Sequence, residues 1–347
     1  MKKLISLILL MSLVIVSCET QDATPFIDEN AVFQSFSTNG QTILQTSINT
    51  NNKHVKIEVD HDVDVTSLIP EFDIPEGYTV YANGVEQVSG VTKVDFSQPV
   101  TYELKNKNNQ STSWEVSAAA LGCKILIDAS HDGGVWWFPQ WEGTGFNPNA
   151  YHQGQDFANI LRAKGFEVTE LGRGVDLAEE MFFGYYIVIR ASGFQPYKTK
   201  ELEVYSKLIE RGMNLVFLTD HKKNDPVDEL GDHLGIQFKG VAFGKIQKFT
   251  PHVITNNITS IDYIAGSVIT NTNPNMEILG WLGENNYADL NMNEVRDVNE
   301  PLAPPVMGIL KYPNSRIFFI GDMNGIEVRP QPFIDNLIHW MGDCSQW

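Results

Sequence analysis

At Cys123 the hydrophobic period of the chain changes, and that change limits the fold more than any single motif. Before it, from about 31 to 119, apolar residues recur at every second position. Lys53-His54-Val55-Lys56-Ile57-Glu58-Val59 is one such run, and Val100-Thr101-Tyr102-Glu103-Leu104 and Trp114-Glu115-Val116 repeat it. A period of two marks half-buried strands, and Asn83-Gly84 and Asn106 to Asn109 supply turns between them. No helical period intervenes, so residues 31–119 are expected to form a small all-β sandwich. After Cys123, apolar strand runs alternate with helical patterns: Lys124 to Asp128, a helix from Ala150 to Lys164, strands at Glu167 to Leu171 and Tyr185 to Arg190, and a helix from Thr199 to Arg211. Asn214 to Asp220, Asp225 to Leu234, Arg316 to Asp322 and Pro332 to Trp340 continue the alternation, with Gly165, Gly212 and Gly235 as helix stops. Residues 123–347 are therefore expected to be an α/β domain, doubly wound about a mostly parallel sheet, with an irregular insertion at about 238–311.

The ends set the compartment. Lys2 and Lys3 precede an apolar run from Leu4 to Val16, shorter than the roughly 20 residues that cross a bilayer. Ile15-Val16-Ser17-Cys18 follows, and it resembles the lipobox of bacterial lipoproteins. That resemblance implies a signal peptide over 1–17, a lipidated Cys18, and attachment to a membrane by acyl chains. Residues 18–30 are polar and read as a tether. The formal net charge of −18 falls to −20 without the two lysines of the signal. Such a surface repels phosphate backbones and argues against nucleic-acid partners. In an oxidising compartment the remaining cysteines, Cys123 and Cys344, are candidates for a disulfide, one near the first strand of the α/β domain and one after its last helix.

Two further resemblances concern the domains. Asp64-Val65-Thr66-Ser67-Leu68-Ile69-Pro70 and Val94-Asp95-Phe96-Ser97-Gln98-Pro99-Val100 resemble phrases of the immunoglobulin-like modules near the N-termini of Bacteroidetes surface lipoproteins, which act as spacers. The second domain resembles the class I glutamine amidotransferase-like superfamily in its trehalose-utilisation-like branch. The likeness rests on Lys124–Asp128, Ala191-Ser192-Gly193, Leu218-Thr219-Asp220-His221, Ile320-Gly321-Asp322, Asp335-Asn336 and Trp340. The amidotransferases carry a nucleophilic cysteine after the strand that here ends at Asp220. No cysteine lies between Cys123 and Cys344, so glutaminase chemistry does not carry over.

Ligands of open α/β sheets bind beyond the carboxyl ends of the strands. Those ends bring Asp128 with His131 and Asp132, Ser192, Asp220 with His221, and Asp322 with Asn324, and His152 joins from the first helix. Carboxylates and imidazoles together suit a water or a divalent metal, or they cap helices and close loops. A Ser192–His221–Asp triad is a second arrangement, but Ser192 lacks the Gly-x-Ser-x-Gly elbow. The densest feature is Gly133-Gly134-Val135-Trp136-Trp137-Phe138-Pro139-Gln140-Trp141. Flat rings with polar edges suit sugar faces, so Trp136, Trp137 and Trp141, with Gln140, Asp132 and His152, are the candidate glycan contacts. The alternative is that the loop folds inward and at least two of its tryptophans are core; Trp281 and Trp340 read as core.

These features lead to the expectation of a non-catalytic glycan-binding lipoprotein of a bacterial envelope, in the outer membrane, facing either the surface or the periplasm. The rival expectations are a hydrolase using Asp128, His131, Asp220, His221 and Asp322, and a structural or assembly component. The sequence names no cofactor or metal.

Overall fold

The computed structural model describes residues 28–342, apart from 42, 133, 141–146, 148, 192, 222–227 and 325–330. Eight strands form the N-terminal domain: β1 (Ser35–Thr38), β2 (Ile43–Asn49), β3 (His54–Val59), β4 (Pro70–Asp73), β5 (Tyr78–Ala82), β6 (Val85–Gln87), β7 (Val100–Asn106) and β8 (Ser111–Ala120). Six of them pair in the order β2-β3-β8-β7-β5-β6, and β1 pairs with β4. The alternation read from sequence has the expected consequence. Val55, Ile57 and Val59 of β3 and Val100, Tyr102 and Leu104 of β7 are buried, as are Trp114 and Val116 of β8. Phe33 meets Phe36, Phe72, Tyr102 and Trp114 edge to face, and the Trp114 indole N–H donates to the Ala31 carbonyl at 2.9 Å. Asn83 and Gly84 both have positive φ, as the two-residue turn joining β5 to β6 requires.

Leu121 alone separates β8 from β9 (Gly122–Asp128), and its N–H donates to the Val59 carbonyl at 2.9 Å. The α/β domain continues through α1 (Gln155–Ala163), β10 (Glu167–Leu171), β11 (Tyr185–Ala191), α2 (Thr199–Glu210), β12 (Asn214–Leu218) and α3 (Glu229–His233). Four more strands follow, β13 (Phe238–Phe249), β14 (Ile261–Ile269), β15 (Met276–Leu282) and β16 (Pro305–Lys311), and then β17 (Arg316–Ile320) and α4 (Gln331–Met341). The nine-stranded sheet runs β10-β9-β11-β12-β17-β16-β15-β13-β14. Its first five strands are parallel, and the pairings from β17 onward are antiparallel. The expectation of a mostly parallel sheet is corrected here: residues 238–311 extend the same sheet as an antiparallel half.

Adjacent side chains of each central strand point to opposite faces. Ile125 and Ile127 join a core with Phe157, Leu161, Phe333 and Leu337, which lies under α1 and α4. Leu126, Val188 and Phe217 join the other core with Tyr205, Leu208 and Leu230, under α2 and α3. Helices thus cover both faces of the parallel half. Trp281 and Trp340 are half-buried; Trp340 packs against the core under α1 and α4 and meets His252 at its edge, and Lys248 lies over the Trp281 ring. Cys123 lies inside β9 rather than before it and is disulfide-bonded. Cys344, like Cys18, lies outside the described residues. Among the described residues no helix is long and apolar enough to cross a membrane.

Candidate functional site

The strand-end residues do not form one cluster. Asp128, at the end of β9, accepts the Ser130 N–H at 3.0 Å, the Ser130 hydroxyl at 2.5 Å and the Tyr205 hydroxyl at 2.5 Å. His131 lies with Nδ1 2.7 Å from Ser130 Oγ, stacks on Tyr197 at 3.8 Å, and places Nε2 3.3 Å from Glu201 Oε2. Glu201 also accepts the Leu177 and Lys198 N–H groups at the start of α2. Burial, ahead of the opposing charges of Asp128 and Glu201, lowers the His131 pKa below its ordinary value. Burial raises that of the Tyr205 phenol, and Asp128 raises it further. The serine–histidine–glutamate connectivity is that of a nucleophile relay, but Ser130 and His131 are buried and their polar atoms tie β9 to α2.

The aromatic loop is folded inward. Asp132 accepts the N–H groups of Val135, Trp136 and Trp137 at 2.9, 3.0 and 3.2 Å, so its carboxylate closes the loop. The Trp136 indole donates to Glu170 Oε2 at 3.2 Å, and His152 Nε2 lies 3.4 Å from the same oxygen. Trp136 and Trp137 are each 1% exposed and meet edge to face. This corrects the expectation that their rings, with Asp132 and His152, meet a ligand. Gly154 packs under the Trp136 ring, where a Cβ would collide with it. Gln140 stays half-exposed and donates to the Asn147 and Ala150 carbonyls, and Trp141 lies outside the described residues.

The acids of the later strands are also committed to the backbone. Asp220 Oδ1 accepts the His221 N–H at 2.6 Å, and its carbonyl accepts the Ser267 hydroxyl. Asp322 Oδ2 accepts the Ile264 N–H at 2.6 Å, and Asn324 accepts from Gln153. Asp220 and Asp322 therefore pin β14 across the ends of β12 and β17, whereas Asp128 and His131 face α2. Of the residues of the hydrolase reading, Asp128 and His131 are thus bonded toward α2, and Asp220 and Asp322 toward β14. Among the described residues, three imidazole or carboxylate donors come within 4.8 Å of one another only at Asp60, His61 and Asp62, an exposed turn of the N-terminal domain. Ser192 lies outside the described residues.

Among the described residues, His221 of the expected set lines an open cavity. The cavity, about 500 Å³, lies between the end of β12, the strands β13 and β14, and the loop after β15. Phe243, 58% exposed, and Tyr287 bring aromatic faces to it; Asn285 and Asn286 bring carboxamides, and Asp289 and Glu294 bring acids. The loop is held to β13 by paired backbone bonds between Val241 and Asp289, at 3.0 and 2.9 Å. Gly240, with φ +63°, permits that approach, because a Cβ there would strike the Asp289 carbonyl. Apolar faces beside amides and acids suit a neutral or cationic hydroxylated ligand. Sequence reasoning placed none of these residues except His221. The available signal was the asparagine-rich run from 285 to 293, in a segment expected to be a less regular insertion with extra strands.

Residues 33–118 match the family model described as SGBP, N-terminal. The N-terminal domain is thus similar to the N-terminal domain of that family, and a mixed α/β sheet domain follows it. No curated protein matches the chain. Among solved structures, it is similar to one described as the mmIFT52 N-terminal domain, at 13% identity and a TM-score of 0.47, over 63% of this chain and 96% of that one. A protein described as ThuA-like, from Parabacteroides merdae ATCC 43184, matches at 13% identity and a TM-score of 0.36, over 57% of this chain and 77% of that one. A protein described as a glycoside hydrolase, from Bacteroides thetaiotaomicron VPI-5482, matches at 21% identity and a TM-score of 0.24; it shares 35% of this chain and 31% of its own length. At these scores no activity of those proteins follows for this chain.

Proposed function

We propose that this chain is a glycan-binding lipoprotein of the bacterial cell envelope, carried on lipid at Cys18, and that its ligand sits in the cavity of the α/β domain. The observation that carries the reading is an aromatic pair, Phe243 and Tyr287, beside two carboxamides and His221 in one cavity, in a chain whose N-terminal domain is similar to that of a glycan-binding family. Sugar rings present an apolar face and a rim of hydroxyls, and the cavity offers a partner to each. The family association supports carbohydrate binding in the Bacteroidetes envelope. The N-terminal domain acts as the spacer, and the amidotransferase-like domain, without its nucleophilic cysteine, holds the ligand.

The test is affinity electrophoresis of the full chain in detergent against a panel of polysaccharides. Phe243→Ala and Tyr287→Ala are expected to weaken retardation by a retained glycan about 2- to 13-fold each, from about 0.5–1.5 kcal/mol for an aromatic contact. Trp136→Phe is expected to leave it unchanged. A parent chain retarded by no glycan, or retardation insensitive to both cavity variants, would falsify the reading.

A further inference from the structure

The loop that walls the cavity carries oxygen donors in a fixed pattern. From Asp289 it reads Asp-Leu-Asn-Met-Asn-Glu-Val-Arg-Asp-Val-Asn-Glu, ending at Glu300. Side-chain oxygens fall at the first, third, fifth, ninth and twelfth places, on Asp289, Asn291, Asn293, Asp297 and Glu300. A twelve-residue loop with oxygens at these places, a main-chain carbonyl at the seventh and glutamate at the twelfth is the calcium loop of an EF-hand. The sixth place of such loops makes a sharp turn and carries an invariant glycine. Here it is Glu294, and its φ is +66°.

Hydrogen bonds within the loop tie several of those residues to one another. Asp289 accepts the Asn293 and Glu294 N–H groups at 3.1 and 2.8 Å. Asn291 accepts the Asn293 N–H at 3.1 Å, and Asn293 accepts the Val295 N–H at 2.9 Å. The carboxamides of Asn291 and Asn293 both turn to Asp297 Oδ2, at 2.6 and 3.3 Å. Glu300 folds back beneath the loop to accept the Leu290 and Asp297 N–H groups at 2.6 and 2.9 Å.

Charge balance is a separate indication. Asp289 and Glu300 are each 4% exposed. Yet among the described residues no lysine, arginine or histidine forms an ion pair with Asp289, Asp297 or Glu300. The loop's own Arg296 donates to the Glu300 carbonyl, at 3.4 Å, and not to a carboxylate. Backbone N–H groups hold the Asp289 and Glu300 carboxylates, and a metal ion would supply the full positive charge that they lack.

We infer that residues 289–300 form a calcium site. Asp289, Asn291 and Asn293 each give one oxygen, Val295 gives its carbonyl, Glu300 gives both carboxylate oxygens, and Asp297 binds directly or through a water. The donors are all oxygen and include two neutral amides, which suits calcium better than a transition metal. Because Asp289, Met292 and Glu294 also line the cavity, the cation would fix one of its walls. The inference stands on the loop alone and does not require that the cavity take a sugar.

The experiment is calorimetric titration of calcium chloride, without glycan, into the full chain in detergent after stripping with chelator. Extracellular calcium modules bind at about 10⁻⁴–10⁻³ M, so the titration runs to about 5 mM. One site per chain is expected, with magnesium at least about tenfold weaker, since it demands a tighter octahedral shell. Asp297→Ala and Asn293→Ala, both at exposed positions, are expected to weaken calcium at least about tenfold while leaving the circular dichroism spectrum unchanged. Glu300→Gln is expected to abolish binding. No binding by the parent to the end of the titration overturns the site, as does unaltered affinity in both exposed variants. Polysaccharide retardation repeated with chelator then separates the two readings, because the calcium titration contains no sugar.

Discussion

Arg190 offers the sharpest test of how the strand ends are held. The residue lies near the end of β11 and is fully buried. Its guanidinium donates to both oxygens of Asp228 at 2.9 and 3.0 Å, to the Leu218 carbonyl at 2.9 Å and to the Tyr197 hydroxyl at 3.2 Å, and it lies over the Phe217 ring. Asp228 in turn accepts the Thr219 hydroxyl and, as the N-cap of α3, the Gly231 N–H. Removing one member of a buried ion pair costs about 3–5 kcal/mol, because the other charge is left unmatched. Asp228→Asn keeps the capping oxygen, so the roughly 1 kcal/mol of a lost cap does not add to its cost. Arg190→Met strands the carboxylate and is expected to cost the same about 3–5 kcal/mol. The double variant leaves no orphaned charge, so it should be more stable than the sum of the singles predicts, by at least about 2 kcal/mol. Urea unfolding followed by tryptophan fluorescence and by far-ultraviolet circular dichroism measures all four corners of this cycle. Additivity within about 0.5 kcal/mol, or an Asp228→Asn cost below about 1 kcal/mol, would refute the account.

Three further outcomes are expected. Gly154→Ala forces a methyl into the Trp136 ring and should cost at least about 1–3 kcal/mol, seen as a lower thermal midpoint; an unchanged midpoint would mean that the loop is not packed on α1. Burial lowers the pKa values of His131 and His152, so the unfolded chain binds more protons once the pH drops below about 6.5. Stability should thus be full above that pH and decline as the pH falls through the depressed folded values, at up to about 1.4 kcal/mol per unit for each histidine. His152→Gln should flatten the decline, and a flat profile in the parent between about pH 8 and 5 would contradict the burial of both rings. We propose Cys344 as the partner of the disulfide-bonded Cys123; reductant should then lower the thermal midpoint, with up to about 5 kcal/mol at stake, and Cys344→Ser should make the midpoint insensitive to reductant.

What sequence made legible was local. The period of two in β3, β7 and β8, the Asn83-Gly84 turn, and the glycines that stop α1, α2 and α3 all depend on neighbours within a few positions. The antiparallel half was harder to read. The register of β13 against β14 shifts twice between Lys239 and Gly244, and the shifts interrupt the alternation that marks a strand. The aromatic loop depends on partners far along the chain. Trp136 needs Glu170 for its indole and the bare backbone of Gly154 for its ring, and no spacing near 136 announces either. His131 is likewise tied to Glu201 and Tyr197 only through the packing of α2 on the sheet.

The junction between the domains gives the cavity its direction. Gly122 begins β9 and donates to the Gly184 carbonyl beside the start of β11. Glu58 of β3 accepts the Gly184 N–H at 2.5 Å and pairs with Arg211, which also donates to Gln45 and to the Phe182 carbonyl. Glu58 is 1% exposed; burial raises its pKa, and Arg211 opposes the shift. Each of these contacts uses the N-terminal end of a parallel strand or the end of the helix before one. The carboxyl ends of the same strands therefore point away from the N-terminal domain, and His221, just past β12, opens into the cavity on that far side. With one residue between β8 and β9 and a buried ion pair across the junction, the N-terminal and α/β domains are held together rather than hinged. A cavity so placed faces away from the N-terminal domain, on the side of the sheet that the junction leaves open.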